Sequence, residues 1–300
     1  MTSVLERVAA GELVVIDGGT GTEIQRRGGA MDDATWCAEA NLQQPDLVRE
    51  VHRAYLEAGA ELIIANTFAT SPLLFATLGR DDEVAAIDRA AVRLAREIAG
   101  GGAAVAGSIS TMQPVMAGDD RTDRSLAWTE DDVRERYRRK AGTLAEGGAD
   151  VLVMEMMRDT GPSVWATEAA METGLPVWVG LSFEPGPDGG LVGWGRPDAM
   201  DDVIAALTAT GPDLVAVMHT SIDDTGPALA AVRSRYGGPL GAYPESGRFA
   251  MPDWVFADVI GVDELVDVTR AWIAQGVTVV GGCCGVSPEH IAGLAAGLRT

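Results

Sequence analysis

Short, nearly continuous apolar runs alternate along the chain with longer segments of helical period, the pattern of parallel strands joined by helices. Eight such runs occur, at residues 13–16, 61–66, 103–109, 151–156, 176–183, 214–218, 240–243 and 277–281. Each is apolar on both faces, as a strand covered on both sides must be. Between them, residues 47–58 carry Leu47, Val51, Ala54, Tyr55 and Ala58 on one helical face, and Gly59 stands where a left-handed residue ends a helix. Residues 134–146 and 264–275 repeat the pattern and are expected to close at Gly147 and Gly276. The last helix is expected after Ser287-Pro288-Glu289, where a hydroxyl cap precedes proline and an acid. Eight strand–helix units with no break in composition predict an α/β fold, a single (β/α)8 TIM barrel occupying residues 1–300, in preference to an open doubly wound sheet.

Charge narrows the partners. The formal net charge is −21, from 44 acidic against 23 basic residues, which repels phosphate backbones and anionic lipid headgroups. Nucleic acid and membrane are therefore not expected as partners. The chain contains no apolar run of about 18 residues, and its first residues lack the basic and apolar regions of a secretion signal, so a cytoplasmic location is expected. Monomer and homodimer both remain open. Three cysteines cannot form a disulfide framework, and the adjacent Cys283 and Cys284 point to metal binding or reactivity.

In a barrel the active site is built where the strands end at their C-terminal side. The residues just past the expected strands are polar: Asp17, Asn66 with Thr67, Ser108 with Ser110, Glu155, Ser182, His219, Tyr243 with Glu245, and Cys283 with Cys284. Glycines around the cysteine pair, in Gly281-Gly282-Cys283-Cys284-Gly285, let the backbone turn and bring both sulfurs toward one point. Two thiolates and a nitrogen supply three zinc ligands and leave a fourth position open. His219, at the end of the sixth strand, is the candidate third ligand. Two long connections, residues 110–129 and 184–197, are expected to cover the substrate.

Several stretches together resemble the homocysteine S-methyltransferase family. They are Asp17-Gly18-Gly19-Thr20-Gly21-Thr22-Glu23, Gln44-Pro45-Asp46-Leu47-Val48 through His52 to Ala58-Gly59-Ala60, Asn66-Thr67-Phe68, and Gly281-Gly282-Cys283-Cys284 with Pro288-Glu289-His290-Ile291. The resemblance implies a zinc-containing barrel that moves a methyl group from a donor such as S-methylmethionine, S-adenosylmethionine, betaine or a methylfolate to the thiol of homocysteine, giving methionine. It implies Cys283 and Cys284 as zinc ligands, with Asp17 and Glu155 attending the amino-acid part of the thiol substrate. On that reading Asp17 and Glu155 are the catalytic candidates. Asn66, Thr67, Ser182, Trp36, Tyr243 and Glu245 join them as substrate-binding candidates, with Trp36 offering an indole face to a cationic donor.

The chain also departs from the family. Where a third cysteine is usual after the sixth strand it reads Val217-Met218-His219-Thr220, Glu155 is followed by Met156-Met157-Arg158, and the seventh strand ends Tyr243-Pro244-Glu245. Two thiolates and a neutral imidazole leave a zinc site formally neutral, where three thiolates leave it at minus one. A bound thiol is then more strongly acidified and a weaker nucleophile. A methyltransferase or demethylase with a different substrate, a barrel that binds a thiol or methylated amine without turnover, and a metal-free redox pair are the alternatives. Cys37 is expected to be a packed thiol, and His52 and His290 to be structural.

Overall fold

A computed structural model describes residues 3–113, 127–250 and 255–298. Eight parallel strands form its centre: β1 (Val14–Val15), β2 (Leu62–Ala65), β3 (Ala104–Ser110), β4 (Val151–Met157), β5 (Val177–Leu181), β6 (Leu214–Met218), β7 (Leu240–Tyr243) and β8 (Val277–Val280). Each pairs with its sequence neighbour, and β1 pairs with β8. The remaining gap closes through a parallel bridge between Ile16 and Leu62, flanked by Glu61 N–H to Val15 O at 2.8 Å and Asp17 N–H to Leu62 O at 3.2 Å. The sheet is thus a barrel, the fold expected from the eight apolar runs, and the open sheet is excluded.

Strand alternation sorts the apolar residues into two layers. Val14, Ile16, Leu62, Ile64, Ala104, Ala106, Val151, Val153, Trp178, Leu214, Ala216 and Val279 fill the barrel interior. Their sequence neighbours, such as Ile63, Val105, Leu152, Val179, Val215 and Val280, pack outward against the helices. At the N-terminal end, the helix Val4–Ala9, capped by Ser3 and Glu6 on one another's backbone N–H groups, adds Val8 to the interior cluster. That end is closed by packing, which leaves the C-terminal end for chemistry.

The helices follow the expected periodicity with shifted ends. Pro45–Glu57 is followed by Gly59 at φ +104°, and Val262–Ile273 by Gly276 at φ +95°. Glu130–Glu146 starts earlier than the apolar pattern predicts because Thr129 caps it, its Oγ1 accepting from Asp132 N–H. It ends differently as well: Gly147 stays right-handed at φ −68°, and the left-handed residue is Gly148 at φ +97°. Pro288–Gly297 begins after Ser287 as expected, with His290 Nδ1 accepting from Ser287 N–H and Nε2 placed 2.8 Å from Ile260 O. His290 is therefore a fixed structural group.

One buried ion pair ties the helices to the loop after β2. Lys140 and Asp88, both without exposed side-chain surface, meet at 2.9 Å, and the Lys140 ammonium also donates to Thr70 Oγ1 and to the carbonyls of Thr67 and Thr70. Every hydrogen of the ammonium is satisfied, although burial still pushes Asp88 up and Lys140 down; with one partner gone, the other charge is stranded. Asp88→Asn is expected to cost about 3–5 kcal/mol in urea unfolding, and the double change Lys140→Met with Asp88→Leu to recover most of that loss.

Candidate active site

The interior rows of the barrel change character near their C-terminal ends. After Ile64 comes Asn66, after Ala106 Ser108, and after Val153 Glu155, so the alternation that fills the barrel below with hydrocarbon aims polar groups upward at its mouth. Asn66 and Glu155 open onto a cavity of about 520 Å³ whose wall also includes Trp36, Phe68, Met112, Gln113, Met156, Arg158, Trp194, Met218, His219, Glu245, Cys283 and Cys284. Among the described residues, four non-glycine positions have positive φ: Trp36 (+51°), Met156 (+55°), His219 (+41°) and Asp258 (+59°). Three of these line the cavity, and left-handed backbone costs about 1–3 kcal/mol at a non-glycine residue, so the strain collects where side chains are re-aimed into the site. At Met156 it coincides with a register irregularity between Met154 and Met157 in β4.

Backbone hydrogen bonds lash the last strand ends together. Glu245 N–H donates to Thr220 O (3.2 Å), Cys283 N–H to Pro244 O (2.8 Å), Ser246 N–H to Cys284 O (2.9 Å) and Gly282 N–H to Asp17 O (3.1 Å). Gly285, at φ +80°, lets this happen, since a Cβ there would lie 2.1 Å from Ser246 O. Ser182 Oγ donates to His219 O at 2.8 Å and anchors the histidine backbone. His219 Nδ1 consequently stands 3.6 Å from Cys283 Sγ, and the two sulfurs stand 3.9 Å apart. One ligand atom from each of His219, Cys283 and Cys284 lies within 4.8 Å of the others.

These spacings fit a tetrahedral zinc. Metal–ligand distances of about 2.3 Å to sulfur and 2.0–2.1 Å to nitrogen put two sulfurs about 3.8 Å apart, and a sulfur and a nitrogen about 3.6 Å apart. The group could therefore hold a metal ion with little movement. Its electrostatics agree: the neighbouring Cys284 and burial push the Cys283 thiol well above its ordinary value, with His219 pulling the other way. Two crowded sulfurs need a positive charge between them to be thiolates together. Burial works against charge on His219, but Glu245 and Cys283 outweigh it and raise the imidazole to about 9.

Glu155 is the second electrostatic feature. Burial lifts its carboxyl from 4.5 to about 7, against the opposing pull of the Ser108 hydroxyl, which donates to Oε2, and of His219. Asp17 is fully buried, its Oδ2 accepting from Ile64 N–H at 2.7 Å and its Oδ1 without a hydrogen-bond partner; burial raises it well above the usual range.

The residues singled out from sequence separate into two groups. Trp36, Asn66, Glu155, His219, Glu245, Cys283 and Cys284 line the cavity; Asp17, Thr67, Ser182 and Tyr243 do not. Thr67 links strand ends, donating to Ser108 O and accepting from Ser108 N–H. Tyr243 is buried, its hydroxyl without a hydrogen-bond partner, in space left by Gly180, where a Cβ would lie 2.4 Å from that oxygen. Asn66 is held on both sides, by Asn41 and by Cys37, whose buried thiol donates to Asn66 Oδ1 and is pushed up to about 12 by burial. Cys37 is a packed thiol. His52 is buried within its helix, with both ring nitrogens unpartnered, and burial takes it down to about 4.

Sequence reasoning missed Met112, Gln113, Arg158 and Trp194 in the cavity wall. Trp194 makes an edge contact with the His219 ring at 5.2 Å, while the Arg158 guanidinium lies over the indole at 5.4 Å. The signal available was the long connection 184–197: it forms a short hairpin, Phe183–Pro185 with Leu191–Gly193, that delivers Trp194 to the site. The other long connection, 110–129, lies partly outside the described residues. No helix among the described residues is long and apolar enough to cross a membrane.

Known proteins match the chain along nearly its whole length. The family model for homocysteine S-methyltransferase matches residues 14–298. The chain is 27% identical to homocysteine S-methyltransferase 4 of Zea mays, across 97% of this chain and 90% of that one. It is 28% identical to the S-methylmethionine–homocysteine S-methyltransferase of Rattus norvegicus, across 97% and 80%. The metallated homocysteine methyltransferase MmuM from Escherichia coli superposes with a TM-score of 0.75 at 25% identity, covering 95% of this chain and 96% of that one.

The Glu155 carboxyl carries a pH prediction. Its folded value, about 7, lies above the 4.5 of the free group, so folding takes up a proton between them and stability falls as pH rises through that window. Carboxyl-carbon NMR is expected to show one midpoint near about 7 that Glu155→Gln removes, with a flatter dependence of melting temperature on pH in the variant.

Proposed function

The chain belongs to the homocysteine S-methyltransferase family, and on that premise we propose that it moves a methyl group from a sulfonium or ammonium donor to a small thiol, homocysteine by default, at a zinc site made by His219, Cys283 and Cys284. The observation that carries the reading is the gathering of three ligand atoms within 4.8 Å of one another at one corner of the cavity, with the Cys283–Cys284 and Cys283–His219 separations at the values a tetrahedral zinc requires. A zinc ion bound there would stabilise the substrate sulfur as a thiolate near neutral pH.

The chain's own residues do the rest. Glu155, on the same cavity wall system as His219, accepts the substrate ammonium, and its anion is the binding form, so amino-acid binding strengthens as pH rises through about 7. Asp17 is fully buried outside the cavity lining, where it accepts from Ile64 N–H and interacts electrostatically with Glu155, so it acts without touching the substrate. Asn66, held rigid by Asn41 and Cys37, presents a fixed polar edge. Thr67, Ser182 and Tyr243 act from behind the wall by holding strand ends and filling the barrel, positioning rather than touching substrate. The donor meets Trp36, set edge-on to Phe68 at 6.4 Å, and the thioethers of Met112, Met156 and Met218. A methylated cation is attracted to the indole face and to polarisable sulfur, and such a wall excludes the water that would compete for an electrophilic methyl group. Trp194 is less available to it, because Arg158 already lies on that ring.

Metal analysis of the purified protein is expected to give one zinc per chain, abolished by the double change Cys283→Ser, Cys284→Ser. Methionine formation from homocysteine is expected with at least one of S-methylmethionine, S-adenosylmethionine or betaine. Zinc binding with no turnover across that panel would favour a binding protein instead. Trp36→Leu is expected to raise the donor KM by about tenfold, within the range of a desolvated cation–aromatic contact, with little change in the KM for the thiol.

A further inference from the structure

We infer that Arg158 anchors a carboxylate of the methyl donor, so that the cavity selects donors carrying a carboxylate beside their cationic centre. The inference rests on the methyltransferase reading above and adds to it a donor class and the residue that selects it. Among the described residues that line the cavity, Arg158 is the one arginine or lysine; the carboxylates there are Glu155 and Glu245. Arg158 is buried, with 3% of its surface exposed. Its guanidinium lies 5.4 Å from the centre of the Trp194 indole, with Nη1 3.4 Å from Trp194 O, and that indole meets the His219 ring edge-on at 5.2 Å. Two ring contacts thus lie between this cation and the metal corner. A methyl group about 3–3.5 Å from a metal-held sulfur leaves its onium centre, and a carboxylate a few bonds further on, within that span.

The backbone sets Arg158 apart from Glu155. Glu155 continues the interior row of β4, whereas Arg158 follows the left-handed Met156 and the register irregularity between Met154 and Met157. Its carbonyl packs against Gly193, where a Cβ would lie 1.8 Å away, so Arg158 goes with the hairpin that delivers Trp194 rather than with the barrel interior. The acceptor is held by its sulfur at the metal and by its ammonium at Glu155, which leaves the space beside the hairpin to the donor. Charge then orients that donor. The thiolates, Glu155 and Glu245 attract an onium centre and repel a carboxylate, and Arg158 does the reverse. A dipolar donor is thereby lined up with its methyl group toward the thiolate. On transfer the thiolate sulfur forms the new bond to carbon, the onium centre keeps the electron pair of the broken bond and becomes neutral, and Arg158 still holds the product's carboxylate. A second buried group points to a polar occupant here. Gln113, 2% exposed, lines the cavity from the chain after β3, the strand beside β4, and its Oε1 has no hydrogen-bond partner among the described residues. A buried amide left unsatisfied costs free energy until a ligand or water completes it, and rotation about its last bond presents either N–H or oxygen.

The test measures donor binding by calorimetry on the full-length protein supplied with one equivalent of zinc, using two matched pairs: glycine betaine against choline, and S-methylmethionine against its carboxamide. The wild type is expected to bind the carboxylate member of at least one pair about 10–100-fold more tightly. Arg158→Met, which keeps an unbranched side chain against Trp194, is expected to remove that preference, while affinities for homocysteine and for the carboxylate-free donor change by less than about twofold. Arg158→Lys keeps the charge without the planar fork and is expected to recover part of the preference. Melting curves verify that each variant folds, and Arg158→Gln replaces Arg158→Met if the latter does not. No preference in the wild type, or one that survives loss of the guanidinium, overturns the anchor. A loss confined to homocysteine places the guanidinium on the acceptor's carboxylate and overturns the donor assignment; an equal loss for every ligand marks a structural residue and overturns it as well. If the preference depends on Arg158 in a protein that transfers no methyl group, the anchor stands and the methyltransferase reading falls.

Discussion

The backbone hydrogen bonds that join the ends of β6, β7 and β8 are the constraint on which the site depends. Glu245 N–H on Thr220 O, Cys283 N–H on Pro244 O and Ser246 N–H on Cys284 O leave three consecutive strand ends little freedom relative to one another. Ligands for a small ion must be placed to within a few tenths of an ångström, and flexible loops do not achieve that without support. Here the support is an extension of the barrel's own hydrogen bonding past the last regular strand residues. Gly285 is the point where this extension requires a particular residue, since its left-handed backbone and close approach to Ser246 O leave no room for a side chain.

Above that frame the site is an exercise in keeping charge under apolar cover. Glu155 sits among methionine and aromatic side chains with one hydroxyl donor, and burial outweighs that donor enough to bring its proton affinity near neutrality. Lys140 and Asp88, by contrast, are equally buried but meet each other and three further oxygens. The difference separates a charge whose partners are all within the protein from one that faces a cavity with a single hydroxyl donor. A fully satisfied pair is inert, whereas an underserved carboxylate beside a cavity is held ready for a positively charged visitor.

How much was legible in the sequence follows from how far each feature depends on local pattern. Strand positions were legible because alternation and apolar runs are local, and the observed strands differ from the expected runs mainly at their ends. The cysteine pair was legible because adjacency and flanking glycines are local too, and His219 because it stands at a strand end. Trp194, Arg158, Met112 and Gln113 were not, because their place depends on how irregular connections fold back over the mouth, which no period encodes. Thr67, Ser182 and Tyr243 were legible as polar strand-end residues, yet they lie behind the cavity wall. Position at a strand end fixes the height of a side chain in the barrel, while the choice between substrate and a neighbouring carbonyl depends on the adjoining strands. The difference of one residue between Gly147 and Gly148 has a similar origin, since in a Gly-Gly pair either can take the left-handed turn.

The histidine at the end of β6 draws these threads together. A cysteine reaches a metal through one carbon, whereas an imidazole is longer and must be turned and held by its surroundings. The chain does both: the residue takes φ +41°, its carbonyl is fixed by Ser182, and the ring is braced by the edge of Trp194. Trp194 is in turn packed under Arg158, which follows the irregular segment of β4 that also carries Glu155 and Met156. The departures from the family pattern after β4, β6 and β7 are therefore physically connected. An imidazole at the end of β6 that is to reach a metal calls for a brace from the loop after β5 and an acidic neighbour from β7, and Arg158, after Glu155, lies on that brace. Reverting His219 alone to a cysteine would leave the brace without the ring it supports and Glu245 without its partner, so these positions have to be exchanged as a set.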